Sequence, residues 1–391
     1  MTMNECRNSE NRIDWSLIKE LRHTLHAHPE LSGREDKTKA RLMDFIRKHT
    51  DLTVKDMGHW FYALYKPEQP YNIPPIAFRA DMDALPIPET IDIPYASVEP
   101  DVSHKCGHDG HSAALAALAL MLAHDNKVKR QVYLIFQSAE ETGQGGKACA
   151  DFIRDRGIGE VYAFHNLSGY PENAVMVRDT LTQYASAGLT FRFIGRTSHA
   201  GTPEQGISPA PALARMQIFA EQMMQEETDS GTFLLITTVG INAGGHDFGI
   251  SPGEGSICFT LRAGSDEKMA SVEKSLIVEA DRLAEDAGLR IDFSAADVFP
   301  ATVNDPACAA KVREAAEALG LQTVPMKQPW RPSEDFGWYL KECPGAMFYV
   351  GNGENWPAPH QSDYNFNDRI LRTAPSVFLK LAEMLPCRGH V

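Results

Sequence analysis

Short apolar segments that end in polar residues recur along the first half of this chain. Residues 75–80, 131–137 and 161–164 are such segments, and they lead into Asp81, Glu140 and His165. Each has the length and composition of a buried strand, and helical stretches separate them along the chain. Strands that alternate with helices predict a mixed, mostly parallel α/β sheet flanked by helices, with the polar residues gathered at one edge.

The pattern changes between residues 183 and 295. Strand-like and helix-like segments follow there in the order β-α-β-β-α-β, which is typical of a ferredoxin-like α+β unit. Helical and strand-like segments resume after residue 300. At 391 residues the chain is long enough for more than one hydrophobic core. We therefore expect a larger domain, residues 1–182 and 296–391, with a smaller domain, residues 183–295, inserted into it.

Composition argues against several classes of partner. The formal net charge is −14 at pH 7, which disfavours a nucleic acid or an anionic membrane as the principal partner. The N-terminal residues lack an apolar secretory segment, and no window is apolar enough to span a membrane. The seven cysteines are scattered and odd in number, which favours a reducing compartment over a disulfide framework. We expect a cytoplasmic protein.

The run Cys-Gly-His-Asp-Gly-His, from Cys106 to His111, predicts a metal site. Thiolate and imidazole are preferred ligands of zinc and similar divalent ions, and glycine lets the backbone bring them to one point. Glu140 and Glu141 follow a predicted strand, so one carboxylate could bind a metal while its neighbour holds a proton. A solvated pair of glutamates at the start of a helix is the alternative interpretation.

Other histidines are weaker signals when each is taken alone. His165 ends a predicted strand and His360 lies in a proline-rich loop, and either position is more often structural than ligating. Leucines at helical spacing predict a helix over residues 14–48 that is interrupted at 28–30. We interpret His23, His26 and His28 on that segment as helix-end and surface residues, because side chains two apart face apart on a helix.

Several long motifs occur together in one order. They are residues 26–32 (HAHPELS), 78–86 (FRADMDALP), 104–111 (HKCGHDGH), 136–141 (FQSAEE), 302–305 (TVND) and 333–336 (SEDF). With these motifs the chain resembles the amidohydrolase family of hippurate hydrolases, N-acyl-L-amino-acid amidohydrolases and plant hydrolases of indole-acetyl amino acids. These enzymes are di-metal metallopeptidase relatives of aminoacylase. The resemblance covers nearly the whole chain.

The resemblance implies a site that holds two divalent metal ions, with zinc, manganese, cobalt and nickel all open. The family's metal ligands correspond to Cys106, His108, Glu141, His165 and His360. Cys106 is expected to bridge the two ions. Glu140 corresponds to the general base that takes a proton from metal-activated water.

The resemblance also assigns roles outside the ligand set. Asp83 corresponds to an acid that orients a ligand histidine. The inserted domain is expected to be a lid and dimerisation domain. His199 within it corresponds to a histidine that reaches the tetrahedral oxyanion, often from the partner subunit of a homodimer. Gly249 stands where relatives usually have a substrate-binding asparagine, and Arg262 is either a partner for a substrate carboxylate or part of a structural salt bridge.

The predicted function is hydrolysis of the amide bond of N-acyl amino acids or related acylated amines, with a small molecule as the partner. A dipeptidase or a carbamoyl-amide hydrolase that uses the same metals is an alternative. A catalytically idle homologue that binds metal is another. Glu140 beside Glu141 speaks against the idle homologue, because a binding protein has no use for a proton acceptor there.

Overall fold

The computed structural model describes residues 13–125 and 127–386. The helices, in chain order, are α1 Trp15–Ala27, α2 Asp36–His49, α3 His108–Ala123, α4 Gly146–Asp155, α5 Ala210–Asp229, α6 Asp266–Ala287, α7 Pro306–Ala318, α8 Gly337–Leu340 and α9 Thr373–Glu383. The strands are β1 Thr53–Asp56, β2 Phe61–Tyr65, β3 Ile76–Asp81, β4 Val132–Gln137, β5 Glu160–Ser168, β6 Val175–Val177, β7 Leu181–Gln183, β8 Ala185–Ile194, β9 Ser198–His199, β10 Leu234–Ala243, β11 Ile250–Ser251, β12 Glu254–Ala263, β13 Arg290–Phe299, β14 Thr302–Val303 and β15 Gly345–Gly353.

The chain divides into two compact units. Unit 1 consists of Met1–Thr182, Thr302–Pro329 and Glu334–Val391, and unit 2 consists of Gln183–Ala301 with Trp330–Ser333. Unit 2 is therefore an insertion into the sequence of unit 1. No helix in the described part of the chain is both long and apolar enough to cross a membrane.

Unit 1 contains a seven-stranded sheet in the order β1-β2-β4-β3-β5-β15-β6. The four central strands, β4, β3, β5 and β15, are parallel, and the outer strands pair antiparallel. Every residue of β3 and β4 is buried, as expected for parallel strands that are covered on both faces. Helix α3 is rich in alanine and leucine and is buried from His108 to Leu122, so it belongs to the core of the unit. The predicted α/β class is confirmed.

The limits of two predicted elements differ from the observed ones. The interruption expected at residues 28–30 of the first helical stretch is longer, because residues 28–35 separate α1 from α2. His165 does not end its strand, because β5 continues to Ser168. Strand β15 runs parallel to β5 beyond the apolar residues 161–164, and it pairs Tyr349 with His165. Polar residues can therefore remain inside this strand.

Unit 2 contains a four-stranded antiparallel sheet in the order β10-β12-β8-β13. This is the strand order of the predicted ferredoxin-like unit, with α5 after β8 and α6 after β12. Strand β8 alternates between buried residues such as Phe191 and more exposed ones such as Arg192, so one face of the sheet is covered. Ser265 caps α6 by accepting a hydrogen bond from the amide of Lys268.

Candidate metal centre

A sharp turn before α3 places two predicted ligands next to each other. Gly107 between Cys106 and His108 has a φ of 106°, in the region that favours glycine. A Cβ at this position would lie 2.4 Å from Oδ1 of Asn166 and 2.7 Å from the hydroxyl of Tyr364. No larger residue fits there without displacing these side chains. The glycine of the motif is therefore required by the geometry of the turn.

The His108 ring is held by one nitrogen and presents the other to a group of acids. Its Nδ1 lies 3.0 Å from the carbonyl oxygen of Asp83 and 3.1 Å from Oδ1 of the same residue, so Nδ1–H donates there. Nε2 lies 3.7 Å from Glu141 Oε1, 3.8 Å from Asp81 Oδ2 and 3.9 Å from Glu140 Oε2. Within the described residues this buried nitrogen has no hydrogen-bond partner. A histidine that donates one N–H to a carboxylate and leaves the other nitrogen free is oriented as a metal ligand.

Cys106 belongs to two groups of potential ligands. Its Sγ lies 3.3 Å from Nε2 of His165. Cys106, His108 and His165 form one group whose ligand atoms all lie within 4.8 Å of one another, and Cys106, Glu141 and His360 form another. A third group combines His108 with Glu140 and Glu141. The five predicted ligands therefore converge within unit 1, and the thiol is the atom that the first two groups share.

The turn after β4 carries Glu140 and Glu141. Ala139 before them has a φ of 53°, which is unusual for a residue other than glycine. The amide of Glu141 donates to Oδ2 of Asp83 over 3.0 Å, so the aspartate that orients His108 also fixes this turn. Glu141 Oε1 is buried and has no hydrogen-bond partner among the described residues, like Nε2 of His108.

The two remaining predicted ligands sit in different environments. His165 is buried in β5, and its Nδ1 lies 2.7 Å from the backbone oxygen of Asn166. His360 lies in a loop with half of its side chain exposed, and its Nε2 is 3.5 Å from Glu141 Oε2. Its backbone also has a positive φ, of 69°, and its amide donates to the carbonyl of Lys105 over 2.7 Å. That bond ties the His360 loop to the residue that precedes Cys106.

The electrostatics of this group favour a bound cation. Burial raises the pKa of the Cys106 thiol well above its ordinary value, and the negative charges of Glu141 and Glu140 raise it further. Burial opposes the charged form of His108, but Asp81 and Asp83 outweigh it and raise its pKa to about 10. A thiolate is disfavoured beside these acids unless a cation compensates them. Mixed sulfur, nitrogen and oxygen ligands suit zinc and neighbouring divalent metals, so the residues fit such ions.

His111 lies beside the predicted ligands, but oxygen atoms engage both of its ring nitrogens. Its Nδ1 lies 2.6 Å from Asp81 Oδ1 and its Nε2 lies 2.7 Å from Asn166 Oδ1. Asp81, His108 and His111 are also close enough to form a metal-binding group. Both ring nitrogens of His111, however, already lie within hydrogen-bonding distance of these oxygen atoms.

A buried cluster next to Glu140 had no role in the sequence prediction. Arg79 binds three carboxylates, at 2.7 Å from Asp81 Oδ2, 3.1 Å from Glu334 Oε1 and 2.7 Å from Asp335 Oδ1. Oxygen atoms of Glu140, Glu334 and Asp335 lie within 4.8 Å of one another. These residues lie in the quoted motifs, so the signal was present, but nothing in the sequence linked residue 79 to residues 334 and 335.

His26 lies in the last turn of α1, as expected, but its interpretation as a surface residue is wrong. The ring is fully buried, with Nδ1 2.8 Å from Asp109 Oδ2 and Nε2 2.9 Å from Glu89 Oε2. Arg22 Nε lies 3.2 Å from the same oxygen of Asp109, and Lys105 contacts Glu89. Partners that are distant in sequence compensate the buried imidazole, and helical periodicity could not reveal them.

Three predicted site residues lie in unit 2. The pairing of β9 with β11 places His199 opposite Ile250, and the amide of Ala200 donates to the carbonyl of Gly249 over 2.9 Å. His199 and Gly249 are thus neighbours, and both are exposed. Arg262 lies on β12 and donates from Nε to the carbonyl of Arg331 over 2.9 Å. Their expected roles toward substrate stay predictions.

The family of this chain follows from comparison with known proteins. The profile of peptidase family M20/M25/M40 matches residues 77–384. The chain belongs to this family. It is accordingly an enzyme of the hydrolase class that acts on amide bonds, as the motifs predicted.

Individual relatives agree with this assignment. A hippurate hydrolase of Campylobacter jejuni is 29% identical, over 93% of this chain and 95% of the relative. An N-acetylcysteine deacetylase of Bacillus subtilis is 28% identical over 93% and 95% of the two chains. One longer relative, from Rhodococcus jostii, is 30% identical over 92% of this chain, but the match spans 45% of that protein.

A solved structure is similar over almost its whole length. It is a Bacillus subtilis protein described as a dinuclear metal binding peptidase of the M20 family, with 25% identity and a TM-score of 0.78. The match covers 94% of this chain and 97% of the other. A neighbour that binds two metals agrees with the two ligand groups that share Cys106.

Proposed function

We propose that this protein is a metal-dependent amidohydrolase that releases the acyl group from N-acyl amino acids. The observation that carries the proposal is the position of Cys106 in two groups of ligands, one with His108 and His165 and one with Glu141 and His360. The names of the relatives support the substrate class, because hippurate and N-acetylcysteine are both N-acyl amino acids.

In this proposal the five ligands hold two divalent ions, whether zinc, manganese, cobalt or nickel. Ions bound there supply Lewis acidity, which lowers the pKa of water and polarises an amide carbonyl. The side chains fix the arrangement before substrate arrives. Asp83 holds His108 through Nδ1 and holds the backbone of Glu141, so one carboxylate orients ligands from two segments.

Glu140 is the proposed general base. Its carboxylate is buried beside the ligands, and Oε2 lies 3.9 Å from Nε2 of His108. A carboxylate so placed can take a proton from water and return it to the leaving amine. Glu141, the adjacent residue, presents one oxygen to His108 and the other to His360. The two neighbouring glutamates thus divide proton transfer and metal binding between them.

The test is Glu140→Gln, measured with N-acetyl, benzoyl and indole-acetyl amino acids in the presence of each candidate metal. We expect kcat to fall by about 10²–10⁴-fold, the usual contribution of a general base, while metal content stays at the wild-type value. Glu99→Gln, at an exposed position that belongs to none of the groups of potential ligands, is the control and should change neither quantity. Retained hydrolysis in Glu140→Gln would remove this residue from the mechanism.

The same panel separates the rival functions. Hydrolysis of dipeptides or carbamoyl amides, but of no acyl amino acid, would favour those substrate classes. A wild-type protein that binds metal and hydrolyses nothing in the panel would favour the idle homologue. We also propose that the protein is cytoplasmic, that it forms a homodimer and that the inserted domain is a lid. The variant His199→Ala tests the expected contribution of the lid histidine to hydrolysis.

A further inference from the structure

The segment between α1 and α2 contains the HPELS motif, for which the proposed mechanism has no role. It has little regular structure, yet its residues bond to the segments that carry the site. The carbonyl of Glu30 accepts from the amide of Ala84 over 2.8 Å, and the hydroxyl of Ser32 donates to Oδ2 of Asp83 over 2.7 Å. Glu35, at the end of the segment, reaches the turn after β4.

Glu35 accepts two backbone hydrogen bonds. Its Oε1 lies 2.8 Å from the amide nitrogen of Ala139 and 2.9 Å from that of Gly33. The residue is 3% exposed, so this oxygen is withdrawn from solvent. Burial, followed by the nearby charge of Asp83, raises the pKa of Glu35 to about 7. A neutral side chain that can still accept a hydrogen bond should therefore be tolerated at this position.

Ala139 is the residue whose conformation decides where Glu140 points. It has a left-handed backbone, which an alanine adopts only when its surroundings hold it. Its carbonyl accepts from the amides of Gln144 and Gly145, which closes the turn around Glu140 and Glu141. Its own amide has Glu35 as acceptor. Without that acceptor, the amide would be buried and unpaired, which costs free energy. A rearranged turn that exposes the amide or pairs it again would then be more stable.

We propose that Glu35 is a positioning residue for Glu140, because it holds the amide of Ala139 and so fixes the turn that presents the base. This inference rests on the proposed function for its effect on catalysis, but the contact itself does not depend on any substrate. Glu35 bonds to the amide of Ala139, whereas the amide of Glu141 is held separately by Asp83. The effect of Glu35 should therefore appear in kcat more than in metal content.

The test compares substitutions that keep or remove the acceptor. Glu35→Gln keeps an oxygen at the same reach, and we expect kcat within about threefold of wild type. Glu35→Leu removes the acceptor and should lower kcat at least tenfold, with KM and metal content little changed. Glu35→Asp is one methylene shorter and should lower kcat although it keeps the charge. Glu35→Asp also tests the proposal if Glu35→Leu does not fold.

Glu30→Leu is the matched control. The Glu30 carboxylate lies in the same segment and also bonds to a backbone amide, that of Thr38 at 2.7 Å, but it does not reach Ala139. We expect this variant to lose stability and to keep the wild-type kcat per folded molecule. An equal fall of kcat in Glu30→Leu, or a kcat near wild type in Glu35→Leu and Glu35→Asp, would overturn the positioning role.

Hydrogen exchange separates this proposal from the proposed function. In Glu35→Leu, or in Glu35→Asp if the first variant does not fold, amides of residues 138–145 should exchange at least tenfold faster than in wild type and in Glu30→Leu. Unchanged exchange would refute the contact whatever the activity. Faster exchange in a protein whose wild type hydrolyses no acyl amino acid would leave the contact standing and refute the proposed function.

Discussion

The two units of this protein place their charged side chains differently. In unit 1, Arg79 is fully buried and binds three carboxylates whose side chains are at most 1% exposed. In unit 2, Arg192 pairs with Glu254 at 2.6 Å, but both side chains are more than half exposed. Buried ion pairs pay a large desolvation cost, so they are weak evidence for stability, whereas exposed pairs contribute little in either direction. The buried Arg79 joins β3 to residues 334 and 335, which are distant in sequence, beside Glu140.

Removal of the buried guanidinium should have the largest effect on stability. Arg79→Met leaves the carboxylates of Asp81, Glu334 and Asp335 without their shared partner. We expect the free energy of unfolding to fall by about 3–5 kcal/mol, the usual cost of breaking a buried pair. Urea unfolding at pH 7.5, followed by circular dichroism, measures it. A loss of unfolding free energy below about 1 kcal/mol would mean that the buried cluster contributes no more than an exposed ion pair.

Glu89→Gln should have a smaller effect on the free energy of unfolding, and this effect should depend on pH. Burial opposes its ionisation, but hydrogen bonds from His26 and Lys105 outweigh burial and lower its pKa to about 2. The ionised Glu89 therefore stabilises the fold above the pKa of glutamate in the unfolded chain, about 4.3. This contribution is lost as the pH falls toward 2. The difference in unfolding free energy between wild type and Glu89→Gln should be widest above pH 5 and narrow on acidification. A difference that is independent of pH between 7 and 3 would contradict the assigned pKa.

The smallest effect is expected at the surface of unit 2. Arg192→Met removes the exposed pair with Glu254 and should change the free energy of unfolding by less than about 1 kcal/mol. It is also the matched control for Arg79→Met, since the substitution is chemically the same. A loss as large as that of the buried variant would abolish the contrast between the units.

The sequence predicted most of what is local or carried by a motif. The buried strands, the helix that begins at the Cys106 motif and the ferredoxin-like order of the inserted segment are all visible as runs and periodicities. The five proposed ligands were named from motifs, and the structure brings their ligand atoms together. Motifs identify such residues because the chemistry restricts the residue types that can serve.

Contacts between distant segments could not be predicted in this way. Arg79 meets Glu334 and Asp335, and Glu35 meets Ala139, but no spacing in the sequence records either meeting. His26 was misinterpreted for the same reason, because its compensating acids lie at residues 89 and 109. The left-handed backbone of Ala139 was equally hidden, since alanine gives no sign of that conformation.

The position of β15 in the sheet has a consequence for how the protein is made. This strand ends at Gly353, yet it lies between β5 and β6, which end at Ser168 and Val177. On the ribosome, β5 and β6 therefore emerge long before the strand that joins them. The strands of the unit 2 sheet are contiguous in sequence and can complete their pairing first. The seven-stranded sheet of unit 1 has unpaired strand edges until β15 is synthesised. The nascent chain is therefore most prone to aggregation between the folding of the unit 2 sheet and the addition of β15.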